Sequence, residues 1–289
     1  MPQLQNANFP VYEDGRTYHL GTKPGDIANR IITVGDLERA RRISALLDAA
    51  PEFEYCSSRG FLTITGSFKS VPVSIVAIGM GTSMMDFFVR EARFVVRGPM
   101  AIVRFGSCGG IRGISAGQIA VATKGSVLIQ RDVDAFSGAQ ADVPYRISKP
   151  VPADPLLSQL VANSMRKRIG SQNVVECMNA TADSFYSSQG RIDPQFTDRN
   201  EDLIPHILQK QPDVQTLEME SFTLLHLAHC SRSAPSSPAT IRASACTMVF
   251  MNRMDNSVIP APRIEVLERE GGLALLEALV AYPLESARL

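Results

Sequence analysis

The 289-residue sequence has no tryptophan, only four histidines and five cysteines, and no surplus of either charge, and each scarcity excludes something. The histidines form neither an H-x-x-x-H nor an H-E-x-x-H pattern. Cys56, Cys108, Cys177, Cys230 and Cys246 are odd in number, widely spaced and never in a C-x-x-C pair, so neither a disulfide framework nor a zinc site is expected. Buried thiols in a reducing, cytoplasmic setting without a bound metal are the expectation. Lys+Arg and Asp+Glu both number 29, so no global field attracts nucleic acid or an anionic membrane, and any anion site has to be local. Long apolar runs are missing too. The most apolar stretch, 272–283, is short and broken by Glu277, and the N-terminus lacks the basic-then-apolar order of a signal peptide, so no membrane span is expected.

Two nucleotide-binding patterns are also absent. Gly79-Met80-Gly81 lacks the third glycine of a dinucleotide fingerprint, no acidic residue closes a strand about 20 residues later, and no P-loop is present. A dinucleotide-dependent oxidoreductase is therefore disfavoured.

What is present is an alternation of strand-like and helix-like segments. Hydrophobic residues make up 45% of the chain, enough for a sizeable core, and neither a repeat nor a dividing linker is visible. Ile31–Val34 reads as a strand, followed by Gly35-Asp36 and a helix through Leu47. Phe61–Thr65, a turn at Gly66 and Val71–Ile78 read as a hairpin feeding a buried strand. A helix follows Gly81. Gln118–Thr123 reads as a strand, the region to Pro150 as a polar loop, 154–169 as a helix opened by Pro155, and Val174–Ala180 as a strand. A helix over Asp202–Gln209, another over Phe222–Cys230, a flexible link at 231–238, a strand over Thr240–Phe250 and an amphipathic helix from Ile264 complete the pattern. The fold class is a three-layer α/β/α single domain with a mixed central sheet.

Three stretches invite chemistry. Ala101–Gly110 is an apolar run ending in Arg104 and then three glycines around Ser107 and Cys108, read as a strand handing over to a loop that can approach an anion; an ordinary glycine turn has the same composition. In Thr181–Arg191, an aromatic ring can stack on a planar ligand while Gln189 and Arg191 read its edge. Thr216–Ser221 puts Glu218 and Glu220 in an otherwise apolar passage, on one face if it is extended. Arg39 falls in the first turn of its helix, where a cation is unfavourable unless an anion binds there.

Together with Tyr18-His19-Leu20-Gly21, Gly35-Asp36-Leu37-Glu38-Arg39, Arg59, Gly79-Met80-Gly81 and Asn252-Arg253, these stretches, in this order from residue 18 to residue 253, resemble the nucleoside phosphorylase superfamily, and within it most closely the uridine phosphorylases. The resemblance implies that Gly35, Arg39, Arg104 and Ser107 bind inorganic phosphate, with Arg59 reaching in from a neighbouring subunit. It implies that Glu220, Met219, Ser107 and the neighbour's His19 hold the ribose, and that Phe185, Gln189, Arg191 and Arg253 surround the base. Arg104, Arg191 and Glu220 would carry catalysis, with phosphate as co-substrate and no other cofactor or metal. The reaction implied is phosphorolysis of uridine in pyrimidine salvage and nucleoside catabolism. A purine or broad-specificity phosphorylase, or a non-catalytic nucleoside-binding relative, is the alternative. Asn252 stands where purine-specific relatives place an aspartate. Gly60 and Met84 replace a glutamate and a serine associated with a cation site between subunits in hexameric relatives. A homodimer with shared sites, to which residues 1–30 of each chain reach across, is therefore expected over a hexamer.

Overall fold

The computed structural model describes residues 4–137, 144–231 and 240–284. Its strands are β1 (Leu4–Gln5), β2 (Val11–Tyr12), β3 (Arg30–Val34), β4 (Phe53–Cys56), β5 (Leu62–Phe68), β6 (Val71–Ala77), β7 (Met100–Gly110), β8 (Ile119–Val121), β9 (Ser126–Arg131), β10 (Tyr145–Ile147), β11 (Val174–Glu176), β12 (Met178–Ala182), β13 (Val214–Glu218) and β14 (Ile241–Asn252). The helices among the described residues are α1 (Leu37–Ser44), α2 (Thr82–Val95), α3 (Pro155–Ile169), α4 (Leu203–Lys210), α5 (Ser221–Cys230) and α6 (Ala261–Ala281). None of them is long and apolar enough to cross a membrane. The main sheet runs β10-β9-β12-β13-β7-β3-β6-β5-β4, and β14 lies along β7 and joins it to β8 and β11.

β7 is the axis of the molecule. It is buried on both faces, as expected of a strand whose apolar run does not alternate with polar residues. Ala101, Val103 and Phe105 pack with α1, α3 and α6, while Met100 and Ile102 pack with α2 and α5, which gives the three layers. Helix starts follow local chemistry. Asp36 caps α1 by accepting from the Arg39 N–H at 2.8 Å, and Asp154 caps α3 by accepting from the Leu157 N–H at 2.8 Å. α1 stops at Ser44 rather than Leu47, because the Leu46 and Leu47 N–H groups bond back to Ile43 and Ser44 in tighter turns.

Four expectations are corrected. The glycines after Arg104 form no loop: the strand continues through Gly110, and none of the three takes a left-handed backbone. They are small because side chains cross close by. A Cβ on Gly106 would stand 3.3 Å from Thr247 Cγ2, one on Gly109 3.3 Å from Arg253 Cγ, and one on Gly110 2.8 Å from Ile114 Cγ2. The region before Pro150 is not all loop, since Ile129 and Tyr145 are buried and β9 pairs antiparallel with β10. The 174–180 strand breaks at Cys177 into β11, which pairs with β8, and β12, which runs between β9 and β13. The link placed at 231–238 lies, beyond Ser231, outside the described residues.

The hairpin turn is the fourth. β5 runs past Gly66 to Phe68, and the chain reverses at Lys69-Ser70, with φ of 51° and 60° and both N–H groups bonded to Asp48 at 2.9 and 2.8 Å. Two consecutive positive φ values make a type I′ turn, which costs a residue with a Cβ. Ser70→Gly is expected to stabilise the protein by about 0.5–1 kcal/mol in thermal unfolding. A loss of stability would mean that the serine side chain contributes more than its backbone strain costs.

Candidate active site

The site lies where one edge of β7 changes partner. Arg104 and Phe105 pair with Thr33 and Val34 of β3, and Gly109 and Gly110 pair with Leu217 and Thr216 of β13. Gly106, Ser107 and Cys108 have no strand opposite them on that edge. β3 ends there at Val34, just before Gly35, and β13 ends there at Glu218, so the gap is a switch point at strand carboxyl ends, the usual place for a ligand crevice in an open α/β sheet. A cavity of about 630 Å³ fills it.

At one end the cavity is lined by Gly35, Arg39, Arg104 and Ser107. Arg104 is 3% exposed and donates from Nη2 to Glu220 Oε2 at 3.0 Å, yet its buried Nε and Nη1 have no partner. Two unmet donors on a buried cation are costly unless a ligand accepts from them, and an oxyanion has the acceptors to do so. Gly35 makes room, since a Cβ there would sit 3.3 Å from Arg104 Nη2. Arg39 is buried as well, with Nε on Glu268 Oε1 of α6 at 2.9 Å, and burial lowers its pKa against the pull of that carboxylate. Its placement in the first turn of α1 is thus balanced by Glu268, which also receives Arg42.

The two carboxylates do not act as a pair on one extended face. β13 ends at Glu218 and Glu220 is already the cap position of α5, so their partners diverge. Glu218 accepts from Asn179, Thr181, the Ser221 hydroxyl and the Glu220 and Ser221 N–H groups, and so fixes the start of the helix. Burial first, and then the charge of Glu220, push its pKa up. Glu220 instead accepts from the Gly81 N–H at 2.6 Å, at the start of α2, and from Arg104. Met219, between them, lines the cavity.

At the far end are Phe185, Gln189 and Arg191. The Arg191 guanidinium lies 3.8 Å over the Phe185 ring and donates to Gln189 Oε1 at 2.5 Å and to the Phe185 carbonyl at 3.0 Å. Burial, and then the neighbouring charge of Arg253, lower its pKa to about 10. Arg253 itself does not line the cavity: it donates to the carbonyls of Gln189 and Gly190 at 2.9 and 3.0 Å.

His19 and Arg59 are not in this cavity either. His19 Nδ1 meets Glu91 Oε1 at 2.6 Å and its ring stacks on Phe87 at 3.8 Å, while Arg59 covers the Tyr18 ring at 4.7 Å and bonds its hydroxyl. Sequence reasoning gave no role to Met80, although it lies within the Gly79-Met80-Gly81 motif, or to Phe250 and Met251, which carry no motif signal; all three line the cavity. Among the described residues no group of three or more His, Cys, Asp and Glu could hold a metal.

Comparison with known proteins identifies the family and the fold. Residues 29–236 match the model of the phosphorylase superfamily. The chain is 30% identical to the uridine phosphorylase of Thermococcus kodakarensis over 95% of its own length and 89% of that protein. A solved structure from a study of two diverse uridine phosphorylases of the oomycete Phytophthora capsici superposes with a TM-score of 0.92 at 41% identity, covering 98% of this chain and 100% of the other. A purine nucleoside phosphorylase of Toxoplasma gondii, at 17% identity and a TM-score of 0.67 over 92% of this chain and 95% of that one, shares the fold. The chain belongs to the phosphorylase superfamily.

Proposed function

We propose that the protein catalyses the phosphorolysis of uridine, giving uracil and ribose 1-phosphate. The observation that carries this is the pair of unmet Arg104 donors at one end of a cavity whose other end presents an amide and a guanidinium. Phosphate would lie on Arg104, Arg39, Ser107 and the Gly35 backbone; forked guanidinium donors suit a dianion and stay charged at working pH. Glu220, pinned by Gly81 and Arg104, would accept from the ribose hydroxyls, with Met219 against the sugar. Phe185 would stack on uracil, whose acceptor-donor-acceptor edge suits Gln189 and Arg191.

Phosphate then attacks the anomeric carbon as the bond to uracil breaks. The carbon–nitrogen electron pair leaves with the base, whose charge meets Arg191, while the phosphate anion faces the cationic sugar. No covalent enzyme intermediate, metal or organic cofactor is needed; phosphate is the second substrate. A second copy of the chain would supply His19 to the 5′-hydroxyl and Arg59 to the phosphate, and a homodimer is the simplest assembly that does so. The five free thiols accord with a reducing, cytoplasmic setting, and the reaction proposed would serve pyrimidine salvage.

A purine substrate is disfavoured by Asn252, whose amide donates to the distant Ile114 carbonyl at 2.8 Å and accepts from the Met254 N–H of its own turn at 2.7 Å, so that both ends are occupied. Ultraviolet detection of free base from uridine, thymidine and inosine, each with and without phosphate, tests the assignment. Phosphate-dependent release from uridine is expected; release from inosine alone, or without phosphate, would overturn it.

A further inference from the structure

We infer that Asn200 and Arg253, neither of which lines the cavity, are positioning residues that hold the 187–191 segment in the shape that reads the base. The inference rests on the functional reading above and goes beyond it by naming what sets base discrimination.

The segment has little regular structure to hold it. A single 3-10 turn, Ser187–Gln189, runs into Gly190 in the left-handed region at φ 63°, and no strand pairs with it. Two of its N–H groups bond locally, Gly190 to Ser187 and Arg191 to Tyr186. Its carbonyls are met from outside. The Asn200 side-chain amide spends both protons on the two ends, donating to the Ser187 and Arg191 carbonyls at 2.9 Å each. The Arg253 guanidinium spends both terminal nitrogens on the middle, the Gln189 and Gly190 carbonyls. Four backbone carbonyls within five residues are thus fixed by two side chains.

Both clamps stand on rigid ground. Asn200 is 3% exposed and its carbonyl accepts from the Leu203 N–H as α4 begins. Arg253 follows β14 directly, its N–H bonds to the Gly110 carbonyl at 2.7 Å, and its stem lies over Gly109, where a Cβ would come within 3.3 Å of Cγ. Among the described residues neither Arg191 nor Arg253 is ion-paired with a carboxylate, so the end of the cavity where the leaving base gathers charge stays positive. Gln189 and Arg191 can present their donors to a base edge only while the backbone between the clamps keeps its place, because Arg191 is itself bonded to Gln189 Oε1.

Asn200→Asp tests this, since it keeps size and shape but cannot donate. Loss of two hydrogen bonds predicts a rise of about tenfold or more in KM for uridine, with KM for phosphate within twofold and a smaller kcat/KM ratio of uridine over cytidine. Arg253→Met, which keeps an apolar stem over Gly109, is expected to show the same pattern. Hydrogen exchange of the 187–191 amides should quicken in both variants without change in β7. An unchanged uridine KM, or equal rises for uridine and phosphate, overturns the inference. Wild-type protein inert toward uridine would refute the functional reading instead. The exchange measurement then decides the clamps, unchanged exchange overturning them.

Discussion

Arg104→Ala is expected to lower kcat/KM for phosphate by about a thousandfold or more, while the uridine dissociation constant rises by about tenfold or less. The asymmetry follows from how the guanidinium is shared. Nε and Nη1 have no partner in the protein and are free for an anion, whereas Nη2 is spent on Glu220. Glu220 keeps its second anchor, the Gly81 N–H, when the arginine is removed, so the ribose contacts survive in weakened form. The variant is also expected to lose stability, because Glu220 stays buried with only the Gly81 N–H to meet it, an effect partly offset by removing two buried unmet donors, so the assays are run well below its melting temperature. Steady-state kinetics with each substrate varied, plus uridine binding without phosphate, separate the two losses. Equal losses would mean that the strand end does something other than hold the anion.

Glu268→Leu carries the largest expected effect on stability. Glu268 and Arg39 form a buried pair at 2.9 Å between α6 and α1, with side chains 4% and 6% exposed. Removing one partner of such a pair leaves an uncompensated charge and typically costs about 3–5 kcal/mol. In a chain of this size that is a fall of roughly 10 °C in melting temperature. Added phosphate should recover more of the melting temperature in the variant than it adds to the wild type, since an anion on Arg39 replaces part of the lost carboxylate. A loss below about 1 kcal/mol, or equal phosphate effects in the two proteins, would show that Arg39 is not held in this way.

Sequence periodicity made the layers legible because the buried strands and the capped helices carry their signals locally: β-branched runs at Ile31–Val34, Asp36 and Asp154 at helix starts, Pro155 at the first turn. The site residues on β7, on α1 and in the 185–191 segment were legible through their order along the chain. What was not legible depends on partners far away in sequence. Nothing local tells that Gly106, Gly109 and Gly110 are passages for Thr247, Arg253 and Ile114 rather than a loop, since each neighbour comes from another segment. Glu268 lies 229 residues from Arg39 and stands in a charged stretch with Glu265, Arg269 and Glu270, so nothing in the sequence marks it as the buried partner. Arg253 sits beside the base-reading segment, but the direction of its guanidinium is set by two carbonyls more than sixty positions away.

The change of partner along β7 has a mechanical consequence. The opening spans three residues of strand, about 10 Å, and its width is fixed by which residues of β3 and β13 are in register with the two halves of one continuous strand. Such a floor cannot narrow around a substrate or stretch to admit a larger one without breaking pairs in the middle of the sheet. Adaptation to the substrate is left to the rim, where Met80, Phe185 and Met251 stand exposed on flexible or ring-bearing side chains. The anion end of the cavity is therefore a fixed gauge, and differences in what the protein accepts have to arise at the end that holds the base.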